Sequence, residues 1–229
     1  MLKRWEDLPD FMKVPEVRPY WEILNKKRGQ LILKHIFDYV AACILLLLLL
    51  IPMLVIAIWI KMDSPGPVFY RQERVTSYGK CFRIHKFRTM VNNADRIGTA
   101  VTVNKDSRIT HVGKTLRQFR LDELPQVIDI LEGSMSFVGT RPEVVKYVNQ
   151  YEPEFRATLL MPAGITSEAS MRYKNEERLL SAADDVDRVY IEKVLPEKMK
   201  WNLEGVRSFS VFKDMQIMIR TLFAVVNKD

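Results

Sequence analysis

"LLLLLLIPMLVIAIWIKMDSPGPVFYRQERV", Leu45 to Val75, opens on unbroken apolar residues, meets a proline at Pro52, and closes on charge and turn residues. The 22 residues between Asp38 and Lys61 carry no charge. A buried helix of a soluble protein is seldom so long and so uniform, so this run is predicted to contact a membrane. It starts too late for a secretory signal, and no small-residue cleavage site follows it.

A straight helix over the run would reach about 33 Å, enough to cross a bilayer. Two features favour a dip that returns to the same face. Pro52 lacks a backbone donor and its ring clashes with the preceding turn, which costs about 3 kcal/mol or bends the helix. Either arm around it is too short to cross alone. The flanks also carry equal charge: Lys26, Lys27, Arg28 and Lys34 on one side, and Lys61, Arg71, Arg74 and Lys80 on the other. The positive-inside rule then assigns both ends to the cytoplasm. Spanning helices also tolerate proline, so on the residues alone a span and a re-entrant dip both stay open.

The 229 residues, 48% of them hydrophobic, are enough for one domain of moderate size or a smaller domain with an anchor. Lys and Arg number 35 against 28 Asp and Glu, a net charge of +7. That balance suits an anionic partner: a phosphorylated ligand, an acidic membrane face or nucleic acid. Cys43 and Cys81 form no disulfide framework, and no Cys/His spacing of a zinc site occurs. His35, His85 and His111 are scattered and read as solvated or structural.

Beyond the apolar run, Asp63-Ser64-Pro65-Gly66-Pro67 forces a turn. "VFYRQERV" and "CFRIHKFRTM" flank "TSYGK" and are predicted to pair as a basic β-hairpin with Gly79 in its turn. Residues 91–107 read as a polar loop. Pro125 and Gly133 bracket a short helix carrying Val127, Ile128, Ile130 and Leu131. Residues 141–200 read as mostly helical, interrupted at Pro162 and Gly164. Phe212, Met215, Ile219, Leu222, Phe223 and Val226 recur at helical spacing, facing either the core or a membrane surface. Residues 1–30, with Pro9, Pro15 and Pro19, show no clear period.

The most suggestive chemistry is Asp122-Glu123. In isolation such a pair reads as helix capping and solvated charge. Here Arg117 and Arg120 lie just upstream, and Arg141 follows between Gly139 and Pro142. Carboxylates hold hard cations such as Mg²⁺, which keep phosphate oxygens as further ligands. Arginine recognises phosphate with forked hydrogen bonds. Beside a membrane anchor, this pattern points to chemistry on a phosphorylated lipid or nucleotide. A non-catalytic, membrane-tethered protein that binds anionic lipid or nucleic acid is the alternative, and a metal-dependent lipid-diphosphate hydrolase is a third reading. The basic residues lack the aromatic interleaving of a single-strand binding platform.

From about Leu31 to Val226 the chain resembles the bacterial sugar transferases, the monotopic phosphoglycosyl transferases that begin lipid-linked glycan assembly. The resemblance is carried by "KHIFDYVAA" (34–42), "MDSPGPVFYRQERV" (62–75), "GKCFRIHKFRTM" (79–90), "DSRITHVGKTLR" (106–117), "LDELPQVIDILEGSMSFVGTRPE" (121–143) and "MPAGIT" (161–166). The chain departs from the family pattern at Ser107, His111 and Thr140, and most of all in "SEASMRYKNEE" (167–177). The resemblance implies that this last stretch faces the sugar, so it names no particular sugar.

The resemblance implies an α+β fold: a re-entrant helix-break-helix over 31–62 with its break at Pro52, then a compact, mainly helical cytoplasmic domain over 63–229 with a β-hairpin. Residues 1–30 form an extension. It implies transfer of a sugar 1-phosphate from a UDP-sugar to polyprenol (undecaprenyl) phosphate with release of UMP, at the cytoplasmic face of the bacterial inner membrane. The product would enter exopolysaccharide, capsule, O-antigen or glycoprotein synthesis. Asp122 becomes the nucleophile and a ligand of Mg²⁺, Glu123 its catalytic neighbour, and Arg117, Arg141 and Arg172 the phosphate contacts. The implied partners are the two substrates and membrane lipids, without nucleic acid; a homodimer stays open.

Overall fold

The computed structural model describes residues 2–92, 94, 106–173 and 185–226. The loop read over 91–107 falls mostly outside them, as does the end of the divergent 167–177 stretch.

Two short 3₁₀ turns, Trp5–Asp7 and Asp10–Met12, precede α1 (Arg18–Lys26). Pro19 sits in the first turn of α1, where its missing N–H leaves no bond unmade. Helix α2 (Arg28–Asp63) has 36 residues and is about 54 Å long. The break predicted at Pro52 does not divide it; the helix runs through the proline. Packing explains the continuity. Lys34, Asp38 and Ala42 before Pro52, and Met53, Ile56 and Ile60 after it, bury one stripe of the helix at spacings of three and four. Ala42 packs with Ile84, Val127 and Ile130, and the later three pack with Phe87, Val112 and Leu116. Tertiary contacts on both sides offset the one missing hydrogen bond. The opposite face is bare: Leu47, Leu48, Ile51, Leu54, Val55, Ile58 and Met62 are all exposed.

The hairpin forms as predicted from β1 (Phe69–Val75) and β2 (Cys81–Phe87), antiparallel, with Val75 opposite Cys81. Buried Arg88 fixes the chain's exit from α2, donating to the carbonyls of Ser64 (2.7 Å) and Pro65 (3.0 Å). Gly66 gives that guanidinium its space, since a Cβ there would lie 2.0 Å from Nη1. Helix α3 (His111–Gln118) is capped twice: Thr110 Oγ1 accepts the Gly113 N–H (3.0 Å), and Asp63 at the end of α2 accepts the Val112 N–H (3.2 Å).

Then come α4 (Gln126–Leu131), β3 (Met135–Val138), α5 (Val145–Val148), β4 (Ala163–Thr166) and α6 (Glu168–Arg172). Helix α7 (Val186–Val189) passes through a π turn at Tyr190–Val194 into α8 (Leu195–Arg207), and α9 (Val211–Val226) follows. The sequence reading of 141–200 as mostly helical misses β4, which pairs in parallel with β3, Met135 opposite Ala163 and Val138 opposite Thr166. Four-residue strands buried along their length carry no alternation to read.

The first residues are part of the core. Leu8, Met12, Val17, Tyr20 and Leu24 pack with Tyr190, Leu195, Met199 and Leu203. The stripe on α9 faces outward, with Phe212, Met215, Ile219, Leu222 and Phe223 exposed. Buried Lys34 joins α9 to α2, its Nζ 2.7 Å from Asp214 and 3.6 Å from Asp38. Ser136 on β3 donates to Asp38 at 2.6 Å.

Where β3 ends, Gly139 lies against Gly164: a Cβ on Gly164 would sit 2.1 Å from the Gly139 nitrogen and 2.5 Å from its Cα. Gly164→Ala must therefore push two backbones apart. It is expected to lose about 1–3 kcal/mol of stability, measured by chemical unfolding in detergent; an unchanged midpoint at unchanged slope would contradict this packing.

Candidate active site

Three segments meet at Asp122-Glu123. The first is the turn that carries them. After α3 the chain reverses at Arg120, a non-glycine residue in the left-handed region (φ 57°). A single 3₁₀ turn, Leu121–Glu123, follows and leads through Pro125 into α4. The second is β2, which brings Lys86. The third is the loop after β3, which brings Arg141.

Glu123 joins the three. Its Oε1 accepts from Lys86 Nζ at 2.9 Å and from Arg141 Nη2, and its Oε2 lies 3.3 Å from Arg141 Nη1. The Glu123 side chain is 12% exposed. Burial pushes its carboxyl up, but the charges of Arg141 and Lys86 overcome this and hold it well below the usual Glu value. Glu123 is a fixed anion whose lone pairs are committed.

Asp122 is different. It is buried, and no hydrogen bond to its carboxylate occurs among the described residues. Burial first, then the Glu123 charge, raise its pKa; Lys86, Arg117 and Arg141 pull it back. The result is an unencumbered carboxylate ringed by cations that would meet an incoming phosphate.

The Arg141 loop is itself clamped. Arg74 on β1 donates to the Pro142 carbonyl (3.1 Å), and the Val75 N–H donates to the Glu143 carbonyl (2.9 Å). Buried Glu143 accepts from Tyr190 Oη at 2.5 Å and from Lys198 Nζ at 3.3 Å. The π turn beginning at Tyr190 and helix α8 thus reach back to the loop that aims Arg141.

The structure brings together Asp122, Glu123 and Arg141, with Arg117 in the last turn of α3 close enough for its charge to act on Asp122. Arg172 is engaged elsewhere: its guanidinium lies 3.7 Å from the centre of the Trp201 ring and its Nε is 3.0 Å from Glu168. Glu168 also binds Arg220 at 2.9 Å.

This constellation sits in a chain whose residues 29–228 match the family described as bacterial sugar transferase. The chain belongs to the bacterial sugar transferase family. Among curated relatives, it is 37% identical over 202 residues to a UDP-glucose:undecaprenyl-phosphate glucose-1-phosphate transferase of Escherichia coli K12, covering 86% of this chain and 41% of that protein. It is 33% identical over 197 residues to a UDP-N-acetylgalactosamine-undecaprenyl-phosphate N-acetylgalactosaminephosphotransferase of Aeromonas hydrophila, covering 85% and 44%. With an exopolysaccharide production protein of Rhizobium leguminosarum it shares 33% over 205 residues, covering 86% and 97%. The chain thus spans less than half of the first two relatives and nearly all of the third.

Sequence reading missed Lys86, although it lies inside the quoted family stretch 79–90. No sequence signal sets it apart from the other basic residues of the hairpin; its place beside Glu123 does.

The opposing charges around Asp122 give a signed expectation for its titration, followed by ¹³C-carboxyl NMR. Its midpoint should lie above the ordinary Asp value of about 3.9. Lys86→Met removes a cation and should raise it further; Glu123→Gln removes an anion and should lower it. A midpoint that falls in Lys86→Met would contradict the charge arrangement.

Proposed function

We propose that this chain transfers a sugar 1-phosphate from a UDP-sugar to a polyprenol phosphate, through a covalent intermediate on Asp122. The observation that carries this reading is the contrast between the two acids: Glu123 is locked by two cations, while Asp122 keeps its oxygens available. A pure binding platform for anions would gain nothing from a buried carboxylate that no described side chain pairs, because it repels them.

In the first step an Asp122 oxygen attacks the β-phosphorus. The new O–P bond forms as the bond to the bridging oxygen breaks, and UMP leaves with that electron pair. In the second step an oxygen of polyprenol phosphate attacks the same phosphorus and the Asp122–phosphorus bond breaks. Splitting one displacement into two is what a carboxylate nucleophile provides. Arg141, Lys86 and Arg117 offset the charge gathered by two anionic substrates. Glu123 holds Arg141 and Lys86 in place for that task. Arg172, beside Trp201, is proposed to meet the nucleotide-sugar only at the edge of this group.

Mg²⁺ fits this donor set: it needs few protein ligands, prefers carboxylate and phosphate oxygens, and Asp122 has oxygens that no described side chain bonds. Bound there, it would neutralise diphosphate charge and ease departure of UMP. Asp122 keeps its second oxygen for attack.

The chain is proposed to sit on one side of the membrane, at the cytoplasmic face of the inner membrane. Helix α2 packs against the domain from Lys34 to Ile60, meeting α9 near one end and α3 near the other. A perpendicular crossing would drag α3, α4 and the charged site into hydrocarbon, where such groups are costly. A helix embedded in one leaflet by its bare face, with the exposed stripe of α9 beside it, keeps the site at the headgroup level. There both the lipid phosphate and a soluble nucleotide-sugar can reach Asp122.

With radiolabelled UDP-sugar and Mg²⁺ but no acceptor lipid, the quenched parent protein should carry label, and UMP should appear. Asp122→Asn is expected to reduce that label by about 10⁴-fold, since an amide is a very poor nucleophile. Label at the parental level in Asp122→Asn would move the nucleophile elsewhere; ordinary turnover with no label on the parent would indicate direct transfer.

Topology is checked separately, in a Cys81→Ser background, with Asn25→Cys and Ser64→Cys. Both should react with an impermeant maleimide only from the cytoplasmic side. Reaction of one from each side would establish a true span.

A further inference from the structure

Among the described residues, strand β2 has a strand partner on one edge only. The sheet is two-stranded, and β1 occupies one side. The other edge would expose main-chain N–H groups inside the protein, an arrangement folded proteins avoid. At His85 that edge is closed by a side chain. Asp129 Oδ2 accepts the His85 main-chain N–H at 2.9 Å, and Asp129 Oδ1 lies 2.7 Å from His85 Nδ1, the separation of a shared proton. Asp129 has no solvent exposure and His85 is 7% exposed. The Phe69 ring meets the His85 ring edge to face, centroids 6.4 Å apart. One carboxylate therefore fixes both the backbone and the ring of a single strand residue.

The next residue is Lys86, which reaches Glu123. Asp129 sits on α4, the helix that leads directly out of the turn bearing Asp122 and Glu123. Strand and turn are thus fastened at two adjacent strand positions, 85 and 86. One fastening carries the charge used at the site, and the other lies behind it and touches none of the reacting groups. We propose that Asp129, acting through His85, is a positioning residue: it sets the register of β2 against α4 so that Lys86 Nζ meets Glu123 and stays beside Asp122. A hydroxyl could not replace it, because the two bonds are made by two different atoms, Oδ2 and Oδ1, and a hydroxyl has one oxygen. Asparagine could: its Oδ1 accepts the main-chain N–H, and its amide donates to a His85 Nδ1 that has passed its proton to Nε2.

Positioning of Lys86 can be read without catalysis. With a water-soluble amine-acylating reagent and mass spectrometry, Lys86 should react slowly in the parent and several-fold faster in Asp129→Ala, while Lys80 in the same hairpin keeps its parental rate. Asp129→Asn should restore slow reaction. His85→Phe, which keeps the main-chain bond, should fall between. Should Asp129→Ala fail to accumulate, His85→Phe against Asp129→Asn decides the same question.

The kinetic half rests on the transfer reaction proposed above. Asp129→Ala should lower the rate of protein labelling by UDP-sugar about 10- to 100-fold, with KM within about twofold of the parent. In a Lys86→Met background the same substitution should cost almost nothing more, because the two act in series. Equal losses in both backgrounds, or Lys86 reactivity unchanged in both Asp129→Ala and His85→Phe, would reduce the pair to a general structural staple. A parent that forms no adduct and releases no UMP would sink the transfer reading instead, and the acylation rates would still decide this one.

Discussion

The Glu123 carboxylate is the constraint on which the site depends. It accepts from a strand of the hairpin and from the loop after β3, and its own turn ends α3 and starts α4. Partly buried charges are unfavourable alone, and each is offset here by contact with the others. The three segments are therefore tied to one geometry, and removing Glu123 would leave two cations facing each other. Asp122 is left as the acid that no described side chain bonds, held in place by the backbone that Glu123 fixes.

A second constraint comes from α2, which has two different faces. Its inner stripe is the shared wall of two apolar clusters that also contain β2, α3 and α4. Its outer face is bare and apolar. The turn bearing Asp122 and Glu123 is thus carried on elements packed directly on α2, rather than suspended from it by a linker. Asp63 makes this literal, ending α2 and capping α3 with one side chain.

Much of this was legible in the residues, and the reasons differ by element. The apolar run, the hairpin and the short helix after Pro125 each carry a period or a turn signal, and each appears where predicted. Asp122, Glu123 and Arg141 stood out as an adjacent acid pair with arginines nearby before the family resemblance placed them in one stretch. The continuity of α2 through Pro52 was not legible, because proline's local cost is visible in sequence while the compensating packing from residues 84–130 is not. The parallel pair β3–β4 was missed because buried four-residue strands have no alternation. Residues 1–30 seemed patternless since their apolar side chains leave short turns in several directions, toward residues more than a hundred positions later. Lys86 was overlooked as one basic residue among many; only its neighbour Glu123 in space gives it a role. Arg172 could be matched by order along the chain but not by place.

The burial of the N-terminal residues against Tyr190, Leu195 and Met199 also bears on the order of events during synthesis. When α2 emerges from the ribosome, most of the surfaces that cover its inner stripe are still to come, since they extend through β2, α3 and α4 to α9. The core that encloses Leu8, Met12 and Tyr20 cannot close until α8 has emerged. Contacts so distant in sequence form late, and an exposed apolar helix waiting for them is prone to aggregate. Until those contacts form, neither face of α2 has cover from the segments that follow it.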